Sequence, residues 1–129
     1  MMKQWIDPMV DEEKEAELVV QLDLLIQLYD GAIRFLQQAE REYTAGQERE
    51  FNLLLARSRM IIEELRNTLN IQHGGSLARQ LNHLYGFMLD SLHQSELTHD
   101  VLYARNVVVS LMVLLEGWRG ARPQVMMAA

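Results

Sequence analysis

Apolar residues recur at helical spacing in four blocks along this chain, separated by short polar or glycine-containing breaks. The first block places Leu18, Leu22, Leu25, Tyr29, Ile33, Leu36 and Tyr43 on one side of a helix. It starts between Asp7 and Glu15, where Asp7-Pro8 offers an N-cap followed by proline at the first helical position. The acidic run DEEKE that follows suits the positive end of a helix dipole. Thr44-Ala45-Gly46 ends the block. The second block carries Phe51, Leu54, Leu55, Ser58, Ile61, Ile62, Leu65 and Leu69, and stops at NIQHGG. A third begins near Ser76, a candidate N-cap, with Leu77, Leu81, Leu84, Tyr85, Met88 and Leu92. The fourth opens at Thr98-His99-Asp100 and runs to about Arg119, with Gly120 and Pro123 beyond it.

Each block is roughly 20–30 residues long, or about 30–45 Å as a helix. Short connections make consecutive helices antiparallel neighbours. The predicted fold is therefore all-α, an antiparallel up-down four-helix bundle, with an extra helical segment at the N-terminus if the first helix starts early. Val107-Val108-Val109 alone favours a strand, but a single strand among long helices has nothing to pair with. One domain spans 1–129, its core about 11–120, with 1–10 and the tail 121–129 flexible or peripheral.

The fourth block has almost no polar face. Eight of the nine residues from Val107 to Leu115 are apolar, and only Ser110 interrupts them. The first block is also broader than one core face requires. Val19 and Ile26 flank its main stripe on one side, and Leu24, Leu28 and Phe35 on the other, whereas a core-facing stripe needs little more than 100°. Three arrangements would cover this surplus: a tightly packed bundle, a homodimer, or a groove kept for an amphipathic segment of another protein. Periodicity leaves all three open.

Composition narrows the function classes. With 18 acidic residues against 12 basic ones the net charge is −6, and the arginines are scattered among carboxylates, as in REYTAGQERE. Nucleic acid is accordingly a poor partner. The chain has no cysteine, so neither a disulfide nor a thiolate metal site is available. The N-terminus lacks the pattern of a signal peptide, and the longest apolar run is half a membrane span, so a cytoplasmic chain without membrane insertion is expected.

Chemistry is thin. A di-iron bundle needs two Glu-x-x-His pairs on different helices plus two further glutamates. The chain offers only Glu96-Leu-Thr-His99, across a helix boundary, and Asp90-Ser-Leu-His93 on the third block. His73, His83, His93 and His99 include no i,i+4 pair suited to zinc. Gly74-Gly75 lacks the further glycines and lysine of a phosphate-binding loop. No enzyme, metal or cofactor is expected.

The run LLIQLYDGAIRFLQQAE, Leu24 to Glu40, resembles the first long helix of the bacterial flagellin export chaperones, the FliS family. The resemblance continues in order through RSRMIIEELRNTLN, GGSLARQLNHLYGFML and VVSLMVLLEGW, and covers roughly Leu22 to Arg119. It implies an antiparallel helical bundle in the cytoplasm, without catalysis or cofactor. The implied partner is the C-terminal segment of flagellin, disordered in the free monomer, whose binding prevents premature polymerisation and keeps the subunit available to the export apparatus. One departure is visible. Where the family enters this helix through a Ser-Pro-Glu-Gln-like start, the chain has Val20, Gln21, Leu22 and Asp23, and helix-compatible residues continue upstream.

On this resemblance the flagellin-binding residues are expected to be Leu24, Leu28 and Phe35 of the first helix and Val107, Leu111, Leu114 and Trp118 of the last. Tyr29 and Tyr85 are expected at the groove edge, with wet hydroxyls. Core packing is the competing reading for each. The family's N-terminal segment lies over part of the client site, which would give Trp5, Ile6 and Met9 that role. The runner-up function is a structural homo-oligomeric bundle that buries the same apolar face against its own copy.

Overall fold

The computed structural model describes the backbone of residues 8–69 and 71–128, and the side chains of 16–69 and 74–121. Four helices follow one another: α1 (Pro8–Thr44), α2 (Glu48–Asn67), α3 (Ile71–Thr98) and α4 (Val101–Ala128). They form a ring in which α1 packs on α2 and α4, and α3 packs on the same two. Interhelical pairs give the directions. Tyr43 meets Phe51, and Gly31 faces Ile61, so α2 runs back along α1. Glu40 bonds Arg105 while Asp30 bonds Arg119, so α4 is also antiparallel to α1. Arg59–Glu96 and Arg66–Asn82 fix α3 against α2 in the same sense. The fold is the expected all-α up-down bundle.

The turns explain the helix ends. After α1, Gly46 takes a left-handed conformation (φ 75°), its N–H bonds the Tyr43 carbonyl, and the Gln47 N–H bonds the Glu42 carbonyl. This is the Schellman arrangement, which satisfies two otherwise orphaned carbonyls. At the end of α3, His99 occupies the equivalent left-handed position (φ 57°), and the Asp100 N–H reaches the Ser95 carbonyl. The Asp100 carboxylate then accepts the Leu102 N–H at 2.9 Å and caps α4. Both turns lie at one end of the bundle. Tyr43 donates to the His99 carbonyl, His99 Nε2 lies 2.7 Å from Glu48, and its ring stands edge-on to Phe51.

One boundary falls within the expected range and two differ from the sequence reading. α1 begins at Pro8, so the extra N-terminal turns are part of the same helix; Trp5 and Ile6 lie outside the described residues. Helical turns precede Ser76, and Gly75 (φ 63°, ψ −150°) breaks them from the main part of α3. A residue with a side chain would be strained there. α4 does not stop near Arg119 but continues to Ala128. Pro123 loses its own bond to the Arg119 carbonyl and crowds that carbonyl, a cost that its mostly helix-favouring neighbours offset in part.

The core is a single cluster that includes Tyr29, Leu36, Phe51, Leu55, Ile62, Leu65, Tyr85, Met88, Leu92 and Leu111. At its centre the Tyr29 and Tyr85 hydroxyls bond each other across the diagonal from α1 to α3. The stretch Val101–Ala121 of α4 is long and apolar enough to cross a membrane, with mean hydropathy 1.4, yet its inner face forms one wall of this core.

Replacing Asp100 with Ala removes the α4 cap and should lower unfolding free energy by about 1 kcal/mol. Urea denaturation checks this: the midpoint should fall with no change in slope.

Candidate partner-binding surface

α1 presents its outward side between two apolar clefts. On the α2 side, Leu24, Gln27, Leu28, Asp30 and Arg34 face Glu64 and Thr68 around a cleft of about 820 Å³. On the α4 side, Asp30, Ile33, Arg34 and Gln37 face Met112, Leu115, Glu116 and Arg119 around a smaller one of about 420 Å³. Asp30 and Arg34 border both, so the α1 ridge separates two parts of one surface. The broad apolar arc of α1 produces this arrangement. Its centre packs inward through Leu22, Tyr29, Ile33 and Leu36, and the surplus on the α2 side, Leu24 and Leu28, opens into the larger cleft.

α1 also outruns its neighbour. Thr68, just past the end of α2, borders the same cleft as Leu24 and Leu28, so the turns of α1 before them extend beyond α2. Leu18, Val20 and Leu24 are each more than half exposed there.

The electrostatics are asymmetric. The Asp30 carboxylate is held by Arg119 Nη2, at 3.0 Å from both oxygens. Arg34 and Glu116 make no ion pair with any described residue although both border the α1–α4 cleft. An apolar floor with free charges on its rims suits an amphipathic segment better than a small ligand. No group of three potential metal ligands converges among the described residues. His93 instead faces Arg59, and His99 faces Glu48.

The structure divides the expected site residues. Leu24 and Leu28 come together in the larger cleft. Phe35 is half-buried, with the Arg57 guanidinium 5.9 Å from its ring centre. Leu114 and Trp118 are half-buried and pack against the core. Val107 and Leu111 are buried within it, because with Leu115 they form the i, i+4, i+8 row that faces inward.

Tyr29 and Tyr85 are not at a groove edge. Both rings are fully buried, and each hydroxyl finds its partner in the other rather than in water. Burial pushes both phenols above their ordinary pKa, since the phenolate would be poorly solvated. The Trp118 N–H is also buried. It makes no hydrogen bond, but it lies close enough to Tyr29 to oppose part of that upward shift.

Sequence reasoning missed the polar rim, Arg34, Glu64, Thr68 and Glu116, and the outer side of α4. There Leu102, Val109, Met112 and Val113 are exposed, in line with Gly117 and Gly120. A Cβ at either glycine would meet nothing within 4 Å. Neither glycine is needed for packing inside the bundle, and each costs the helix about 1 kcal/mol relative to Ala. The signal was available: these exposed positions lie about half a turn from the Leu111 row.

The family described as "Flagellar protein FliS" matches residues 10–125 of the chain. The chain belongs to the FliS family. It is 32% identical over 97 residues to the "Flagellar secretion chaperone FliSB" of Pseudomonas aeruginosa, a match that covers 74% of this chain and 77% of that protein. Membership makes this a flagellar secretion chaperone and not an enzyme. The matched region takes in α2 and α3 whole, nearly all of α1 and α4, and both clefts.

Two measurements test the tyrosine pair. Tyr85→Phe leaves a buried hydroxyl on Tyr29 without its partner and should cost about 1–3 kcal/mol, whereas the double change to Phe should recover part of that loss. Because both folded-state pKa values are raised, the pair's contribution is fully present below the ordinary phenol value of about 10 and is lost as pH rises above it. Denaturation between neutral and alkaline pH should therefore show a steeper loss in the native chain than in the double variant. Equal slopes would contradict the assignment.

Proposed function

We propose that this FliS-family chaperone binds the disordered C-terminal segment of flagellin in the cytoplasm, along the two clefts flanking the α1 ridge. Binding would prevent premature polymerisation and keep the subunit competent for export. The observation that carries this reading is the pair of apolar clefts, which no described side chain of the chain fills. Leu24 and Leu28 anchor the client on the α2 side, and Met112 contributes from α4. Phe35, Leu114 and Trp118 are half-buried against the core and line neither cleft. Tyr29, Tyr85, Val107 and Leu111 act only through the core that holds the helices in place.

A flexible segment that folds on binding must recover its ordering entropy from buried apolar area. Burying about 600 Å² at ~25 cal/mol per Å² contributes about 15 kcal/mol gross, much of it offset by association and ordering. Pre-formed helices limit the ordering cost to the client's side of the interface.

The deciding experiment is the solution mass of the chain alone and mixed with the C-terminal segment of flagellin from the same organism. A new one-to-one complex is expected. A dimer indifferent to flagellin would favour the structural bundle instead. Leu28→Glu places a charge in the larger cleft and should weaken the complex at least about 100-fold while helicity is retained. A collapse of helicity would make Leu28 a core residue.

The segment 1–10 offers a further test. By resemblance to the family, Trp5, Ile6 and Met9 would cover part of the client site. Deleting 1–10 should then tighten flagellin binding, and an unchanged affinity would remove the competition.

A further inference from the structure

The larger cleft has a charged end that its apolar walls do not explain. From Leu24 it runs along α1 past Leu28 to Arg34, with Glu64 and Thr68 on the α2 wall. Gly31 lies between Leu28 and Arg34, and Ile61 of α2 stands opposite it. Just past Arg34, the Arg57 guanidinium of α2 lies 5.9 Å from the Phe35 ring centre. The antiparallel pairing of α1 with α2 therefore brings two arginines, one from each helix, to the same end of the cleft.

Neither arginine forms an ion pair with any described residue. For Arg34 the reason is visible. Asp30 precedes it by four residues, the spacing at which an acid and a base on one helix pair. The Asp30 carboxylate is instead held by Arg119 of α4, whose Nη2 donates at 3.0 Å to each oxygen. Arg34 is left exposed and unneutralised beside an apolar cleft, in a chain of net charge −6.

Gly31 is the second observation. A glycine within a helix is costly relative to alanine. Packing against α2 does not require it, because a Cβ there would meet only the tip of the Ile61 side chain, at an ordinary contact distance of 3.4 Å. Its neighbours on the helix surface, Gln27, Leu28 and Arg34, all line the cleft. The missing methyl thus opens the α1 backbone to whatever occupies the cleft.

We propose that this end of the cleft is a carboxylate subsite. Arg34, reinforced by Arg57, binds an acidic side chain of the client, whose backbone passes close to α1 at Gly31. The subsite rests on the flagellin-binding reading above and sets which segments the cleft accepts. The acid stands about 9 Å along α1 from the client residue that packs on Leu28. Glu64, on the α2 wall, repels a carboxylate placed nearer the leucines, so one register is favoured. Arg119 acts through Asp30, by keeping it from neutralising Arg34.

Calorimetric titration of the full-length chain with a peptide of the flagellin C-terminal segment from the same organism tests the subsite. Arg34→Glu changes an exposed residue, so the chain should stay helical and bind about thirty-fold more weakly or worse. Arg34→Lys keeps the charge and should lose only about three-fold. Each Asp or Glu of the peptide is then replaced in turn by Asn or Gln. One such change should weaken binding to the native chain about ten-fold and leave binding to the Arg34→Ala chain unchanged. Added salt should weaken the native complex more than the Arg34→Ala complex. Gly31→Ala should raise the melting temperature and yet weaken the peptide.

A native chain that does not bind the peptide overturns the flagellin reading and the subsite together. If the peptide binds but Arg34→Glu leaves its affinity unchanged, or if no peptide carboxylate is coupled to Arg34, the subsite is overturned and the flagellin reading stands. Undiminished affinity in Gly31→Ala would overturn the close approach at that glycine.

Discussion

The bundle depends on two phenols that can be satisfied only by each other. Tyr29 and Tyr85 lie at the centre of the core, on helices diagonally opposite in the ring. A buried hydroxyl without a partner is expensive, so neither residue can be accommodated unless α1 and α3 stand at one separation and one register. Hydrophobic burial alone is non-directional and tolerates sliding. The tyrosine pair does not. With Tyr29 turned inward, helical geometry carries Leu24 and Leu28 toward α2 and Asp30 and Arg34 toward the rim. The clefts are thus a consequence of how the core is registered.

Much of this architecture was legible in the pattern of the chain. Four blocks of helical periodicity separated by short breaks admit few folds, and antiparallel neighbours follow from the shortness of the connections. The Asp100 cap was visible as a polar cluster ahead of an apolar run. The continuation of α4 to Ala128 was hidden by Gly120 and Pro123, which usually end helices and here do not. The helical turns before Gly75 were hidden in the same way.

The site was legible only in part, and the reason is physical. Periodicity separates faces when they differ in polarity, and α4 is apolar on both. Val107 and Val109 look alike in a sequence, yet one is 3% exposed and the other 57%. Neighbouring helices decide between them, and a single helix pattern contains no information about those neighbours. Tyr29 and Tyr85 misled for a related reason. A tyrosine hydroxyl is normally placed near water, and nothing local to either residue shows that another tyrosine 56 positions away will take water's place. Leu24 and Leu28 were easier to place because they lie at the edge of an otherwise well-defined stripe.

The remaining question is why a four-helix bundle should retain so much exposed apolar surface. A ring of four helices buries one arc of each, and residues such as Leu24, Val109 and Val113 add nothing to that core. They carry a liability, since contiguous apolar patches promote association. The two exposed glycines of α4 add a stability cost without any packing return inside the chain. Ordinary mutation would replace such residues with polar side chains or alanine at no loss to the fold. Their joint presence is therefore most economically explained by contacts made outside the chain. The net charge of −6 opposes unselective association, leaving shape and register to choose the partner. On α1 the surplus borders clefts with free charges on their rims, suited to a flexible client. On α4 it lies along the face turned away from the core, in line with Gly117 and Gly120.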